Sequence, residues 1–238
     1  MSQQMTPVTA MIATANMLWA VVYVLIIRAG LRDRTYGMPI VALWLNLSWE
    51  GNFSFVRPQP GALWVTNVVW FLLDCGILWT ALRYGHREFP WLPRWGYVLG
   101  LALTGACCWT GMEAALRQLE RAGGIETAGT YTGFGAQLVM SCLFPAMLMA
   151  RRSTSGQSTA IGVCRLVADA GAVAGGVVWL RNGTVVGGPV LPVVFTLAIV
   201  LDLAYVAGVS AVRRAERRVP AAVAPDPAAG APVVLGGG

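Results

Sequence analysis

Five carboxylic acids lie inside otherwise apolar stretches of the sequence: Glu50, Asp74, Glu113, Asp169 and Asp202. An ionisable group at membrane depth is costly enough that its default reading is functional. Glu113 precedes Arg117 by four residues and Asp169 follows Arg165 by four, so both are expected to form same-face helical ion pairs. Glu50, Asp74 and Asp202 have no basic residue at helical spacing. A carboxyl without a cation in a low-dielectric interior favours its neutral form, and a neutral carboxylic acid can act as a general acid.

Amide and aromatic side chains recur around these acids. Asn46, Trp49, Glu50 and Phe53 stand at offsets 0, 3, 4 and 7, on one side of a helix. Asn67, Trp70, Phe71 and Asp74 repeat the pattern, Asn16, Trp19 and Tyr23 form a third stripe, and Asp202 is followed by Tyr205. Hydrogen bonds between helices, with Trp filling space, would account for any one stripe. Three helices sharing it point to a cavity walled by Trp, Tyr and Phe with neutral carboxyls at its edge. A desolvated cation-π contact is worth about 2 kcal/mol. An acid facing such a wall suits reactions that begin by protonation and run through carbocations, and prenyl chains are apolar substrates of that kind.

Missing motifs narrow the chemistry. The sequence has no D-D-x-x-D or other acidic pair to chelate Mg²⁺ on a diphosphate, and no D-x-D-D. No G-x-G-x-x-G or P-loop suggests a nucleotide cofactor. All 17 basic residues are Arg, which closes the retinal Schiff-base option because that needs Lys. The single His, His86, and five Cys without C-x-x-C spacing argue against a metal site, and the Cys are expected to be small core residues. A metal-free, cofactor-free, redox-neutral isomerisation is the expected enzymatic chemistry.

The elements that must hold these residues follow from composition. Of 238 residues, 56% are hydrophobic and 12% charged, against about 25% charged in a soluble domain. Seven apolar stretches of about 21 residues each predict an all-α polytopic membrane protein with seven transmembrane helices. They run Thr9 to Ile27, Met38 to Val56, Ala62 to Leu82, Trp95 to Leu116, Gly129 to Ala150, Ser158 to Leu180 and Val190 to Val212. Twelve Arg fall in the loops after spans one, three and five and in the C-terminal tail, against four on the other side. That bias predicts an N-terminus outside and a C-terminus in the cytoplasm. The basic residues sit in short runs rather than on one soluble face, which excludes nucleic acid as a partner. The membrane domain is expected over 1–218, with a disordered Pro/Ala/Gly-rich tail over 219–238. The absence of Lys and the Ala, Gly and Val bias suggest a high-GC bacterial source and thus a bacterial cytoplasmic membrane. Three G-x-x-x-G pairs, Gly96/Gly100, Gly129/Gly133 and Gly171/Gly175, are expected to let helices of the same chain approach closely.

Several segments resemble the small integral-membrane terpene cyclases of fungal meroterpenoid and indole-diterpene pathways. In type they are similar to the actinobacterial counterparts that act on farnesylated indole alkaloids of the drimentine kind. The segments are Asn46-Leu47-Ser48-Trp49-Glu50, Trp70-Phe71-Leu72-Leu73-Asp74 running on to Leu82-Arg83-Tyr84-Gly85, Ser155-Gly156-Gln157-Ser158, Arg165, and Leu201-Asp202-Leu203-Ala204-Tyr205. The resemblance implies a seven-helix cyclase acting on a hydrophobic prenylated small molecule in the bilayer. It also implies that protonation needs the span-two Glu and the span-seven Asp, here Glu50 and Asp202. Asp169 is not placed by that pattern. Glu50 is the expected donor, with Asp202 orienting it or sharing its proton. Trp49, Phe53, Trp70 and Tyr205, with Trp19 and Tyr23, are expected to fold the chain and stabilise cations. Asn46 and Asp74 would hold the acids or polarise the substrate's head. Glu50 and Asp202 sit about 9 Å and about 18 Å from the outer ends of their helices, an offset that weakens direct contact. The alternative is a small seven-helix transporter, suggested by midplane acids and the Pro58-Gln59 pair, although no internal repeat supports it.

Overall fold

The computed structural model describes residues 7–218, with side chains from residue 12 onward. The tail expected over 219–238 lies outside the described residues. The described chain is all-helical. Helix α1 is Pro7–Asp33, α2 is Ile40–Gly51 and runs into a π-helical turn over Asn52–Val56, and α3 is Ala62–Tyr84. A 3₁₀ turn over Gly85–Glu88 precedes α4 (Arg94–Arg151), α5 (Thr159–Arg181) and α6 (Val190–Arg218). Five of these, all but α2, are long and apolar enough to cross a membrane. Their outward faces carry large apolar side chains such as Leu72, Trp95, Val193 and Leu203, as lipid-facing helices require.

Three expected boundaries change, one of them at the end of α6, which runs on to Arg218 rather than ending at Val212. Helix α1 runs on to Asp33 rather than ending at Ile27. The segment 117–128, expected as a loop between spans four and five, is helical except at Gly124, where φ is 79° and ψ is 174°. That conformation is essentially restricted to glycine. It divides α4 into segments 94–123 and 125–151, which pack side by side: Met112 and Leu116 from the first meet Ala128 and Ala136 from the second around Phe53. The polar, Arg-rich sequence looks like a loop, but a single glycine makes the turn and both flanking arms stay helical.

The main core joins all six helices through Trp19, Leu43, Ile77, Phe144, Ile161 and Tyr205. Helix α1 packs on α5 and α3, α2 on α4 and α3, and α6 on α4 and α5. One end of the bundle is tied by polar contacts. Arg151 pairs with Glu88 at 2.7 Å, donates to the Tyr36 carbonyl at 2.9 Å and stacks 4.4 Å over the Tyr36 ring. Asp33 accepts the Gly156 N–H at 2.8 Å. At the other end Arg57 binds Glu113 through two nitrogens, and Arg117 joins the same carboxylate at 2.6 Å, so the expected Glu113–Arg117 pair is present within a larger cluster.

Of the expected close-packing glycines, Gly129 and Gly133 do admit neighbours: Phe53 and Trp49 come within 3.0 and 3.3 Å of where a Cβ would stand. Gly175 likewise faces Ile12 at 2.8 Å, whereas Gly100 faces open space. The five Cys are free thiols, but none is fully buried and Cys107 and Cys142 are exposed. Cys75 and Cys164 pack against the edge of the main core, as small apolar residues, whereas Cys107 and Cys142 face outward.

Candidate active site

A cavity of about 230 Å³ lies in the half of the bundle next to the 57–61 connection and the Gly124 break. Helix α1 contributes Asn16, Trp19 and Tyr23 to its wall, α2 contributes Asn46, Trp49 and Glu50, and α3 contributes Asn67 and Trp70. Phe134 and Gln137 come from the second segment of α4, and Asp169 and Trp179 from α5. Each stripe of amides and aromatics at three- and four-residue spacing thus turns at least two members to one space. The Trp49 indole N–H donates to the Gly129 carbonyl at 3.1 Å and that of Trp70 to the Asn16 carbonyl at 3.2 Å. Both rings are therefore pinned by their polar edge.

Glu50 is 2% exposed and ends a chain of donors. The Asn46 amide donates to the Tyr23 hydroxyl oxygen at 2.7 Å, and that hydroxyl donates to Glu50 Oε1 at 3.0 Å. Glu50 Oε2 has no hydrogen-bond partner. Asp74, fully buried on α3, stands within hydrogen-bonding reach of Glu50 and Asn46. Among the described residues no cation pairs with either carboxyl. The π-helical turn begins two residues after Glu50, where Arg57 N–H reaches back to the Asn52 carbonyl at 2.7 Å. Such turns recur at functional sites because they redirect a helix face.

The expected site residues do not all reach this cavity. Phe53 turns away, into the cluster between the two segments of α4, although its ring lies 4.6 Å from that of Trp49. Asp74 sits behind Glu50 rather than on the wall. Asp202 is 1% exposed, does not line the cavity and is not free of a cation: Arg165 of α5 donates to its Oδ1. The missing ion pair is Arg165 with Asp169, expected from their spacing on one helix. The long guanidinium side chain instead crosses to α6, lying 4.3 Å over the Phe144 ring and 5.7 Å from that of Tyr205, with a further bond to Ser141 at 3.0 Å. Tyr205 therefore shelves Arg165, with its hydroxyl on Gln157 at 2.9 Å, and is not a cavity residue.

Asp169 occupies the cavity position expected of Asp202. Its carboxyl lines the wall across from α2, accepts the Gln137 amide at 2.5 Å and stands next to Asp202. In the sequence, spacing alone places Asp169 with Arg165. Nothing in the sequence singles out Gln137 or Trp179, although Gln137 lies one helical turn after Gly133. The two sides of the cavity differ in charge: Glu50 and Asp74 have no cation, whereas on the other side Arg165 pairs with Asp202 beside Asp169. Among the described residues no three His, Cys, Asp or Glu side chains gather as a metal ion would need. This arrangement can hold an apolar chain against aromatic faces and offer it one carboxyl from α2 and another from α5.

Comparison with known proteins matches residues 2–215 to the model of the Pyr4-like transmembrane terpene cyclases. The Pyr4-family terpene cyclase mfmH of Annulohypoxylon moriforme is 31% identical over 163 residues, 66% of this chain and 64% of that protein. Terpene cyclase dpasB of Apiospora sacchari is 26% identical over 63% of the chain and 61% of its own length. Terpene cyclase dpmaB of Metarhizium anisopliae is 26% identical over 83% of each. The chain spans less than two thirds of the length of the first two. All three are fungal, so they lend no support to the bacterial source expected from composition. No solved structure matches.

Proposed function

The chain belongs to the Pyr4-like transmembrane terpene cyclases, and we propose that it cyclises the prenyl chain of an aromatic, indole-type substrate by protonation. The observation that carries this reading is the cation-free Glu50–Asp74 pair set into a wall of Trp19, Trp49 and Trp70. Two carboxyls side by side, buried and without a cation, cannot both hold a charge, so the pair keeps a proton. Glu50, on the cavity wall, gives it to the terminal double bond of a farnesyl chain, or to its epoxide. The charge left on Glu50 meets the Tyr23 hydroxyl, which Asn46 holds in place, a preorganised donor aimed where charge develops. Carbocations formed as rings close are stabilised by the indole faces.

Counting α2 with its π turn as one crossing and α4 as two gives seven, with the N-terminus outside and the C-terminus in the cytoplasm, as the Arg bias favours. The all-Arg composition favours a bacterial cytoplasmic membrane as the location. The test is to incubate membranes bearing the protein with a farnesylated indole, without added metal or nucleotide. A product of unchanged mass is expected. Substrate-dependent flux into vesicles with no isomer formed would favour a transporter instead.

A further inference from the structure

Protonation-initiated cyclisation needs a base as well as an acid, because the last carbocation must lose a proton for the product to be an isomer. We infer that Asp169 is that base, and that Asp202 and Arg165 are positioning residues acting through it. The inference rests on the cyclase reading above. It starts from placement: Asp169 and Glu50 are both on the cavity wall, whereas Asp202 is behind it. Asp169 is 2% exposed and its carboxyl is aligned by the Gln137 amide at 2.5 Å.

Charge then separates the two sides. Glu50 and Asp74 have nothing to offset a negative charge and so hold the initiating proton. Around Asp169 one guanidinium serves two carboxyls: Arg165, fully buried, donates to Asp202, and Asp202 stands against Asp169. A negative charge on Asp169 is therefore partly offset by the nearby Arg165, whereas one on Glu50 or Asp74 is offset by nothing. Facing groups that differ in this way divide acid from base. A carbocation arriving beside Asp169 in turn favours its ionised, proton-accepting form.

The steps balance. The Glu50 proton adds to the less substituted carbon of the terminal double bond, leaving a tertiary cation, and ring bonds form from the π electrons of the remaining double bonds. A C–H bond beside the last cationic carbon then breaks, its electron pair becomes a new double bond, and its proton passes to an Asp169 oxygen. One proton enters and one leaves. Between turnovers the Asp169 proton returns to the Glu50–Asp74 pair through solvent at the cavity mouth. Asp202 never meets substrate. It keeps Arg165 in place, with the guanidinium packed over the Phe144 ring and beside that of Tyr205.

The experiment is product analysis of Asp169→Asn in membranes, with Asp169→Glu, Asp202→Asn and Gln137→Leu beside it. Asp169→Asn is expected to go on consuming substrate, because Glu50 still starts the reaction. The ratio of parent product to misplaced alkenes and water-captured alcohol, 18 mass units heavier, should fall by on the order of 100-fold, the usual contribution of a positioned base. Asp169→Glu should restore the parent product. Asp202→Asn should shift the spectrum in the same direction, and the double variant should be no worse than Asp169→Asn. A wild-type product spectrum from Asp169→Asn, or complete loss of substrate consumption in a variant that accumulates normally, would overturn the assignment. If Asp169→Asn does not accumulate, an unchanged spectrum from Gln137→Leu overturns it equally. Failure of the wild-type protein to form any isomer would instead overturn the cyclase reading.

Discussion

Replacing Tyr23 with Phe removes one oxygen and leaves the ring that packs 5.5 Å from Trp19. The lost oxygen makes two bonds, donating to Glu50 Oε1 at 3.0 Å and accepting from Asn46 at 2.7 Å. As Glu50 gives up its proton, the first becomes a bond to a charged acceptor, worth about 1.5–3 kcal/mol. If that is realised in the transition state, kcat should fall by about 10- to 150-fold. KM should change little, because Trp19, Trp49 and Trp70 still bind the chain. The buried Asn46 amide, left unpartnered, should lower stability by about 1–3 kcal/mol. The assay is steady-state product formation by purified protein in nanodiscs, with thermal unfolding measured alongside. Adding Asn46→Ala to Tyr23→Phe should cost little more, since Asn46 acts on Glu50 through Tyr23. An unchanged kcat in folded Tyr23→Phe, or an effect confined to KM, would refute the role of the donor chain.

Trp49→Leu removes one indole face at a cost of about 2 kcal/mol in cation stabilisation, so kcat should fall by about 30-fold, as read by the same assay. Gly124→Ala forces a side chain onto a backbone with φ of 79° and ψ of 174° and should destabilise the protein by roughly 1–3 kcal/mol in thermal unfolding. Gly100→Ala, in a helix with open space at its Cβ position, should be neutral or stabilising by up to about 1 kcal/mol. Cysteines introduced in the 85–93 connection of a Cys-free background should be labelled only from the cytoplasmic side, and those in the 57–61 connection only from outside. The reverse pattern would invert the proposed orientation.

What could be read from the sequence was set by helix geometry within single elements. Asn16, Trp19 and Tyr23 share a face because residues three and four apart must, and all three line the cavity. Asn46, Trp49 and Glu50 do so for the same reason. Contacts between helices were not legible, because spacing along one helix says nothing of the register against its neighbour. Arg165 and Asp169 have the spacing of a pair, yet the Arg165 side chain is long enough to reach α6, and the ring faces of Phe144 and Tyr205 hold it there. That one choice of partner moves Asp202 and Tyr205 off the cavity wall and leaves Asp169 on it. The 117–128 segment misled for a related reason: its charges read as loop, while backbone geometry needed only Gly124 to turn.

The most direct test of proton-initiated cyclisation is turnover of an alkene-terminated farnesylated indole in D₂O, where the label enters a C–H bond, followed by mass spectrometry of product and recovered substrate. A proton delivered from a solvent-exchanged Glu50 should place one deuterium in the cyclised product, leave recovered substrate unlabelled, and require no metal or nucleotide. A cyclised product without deuterium, or one formed only when Mg²⁺ is supplied, would contradict protonation as the initiating step.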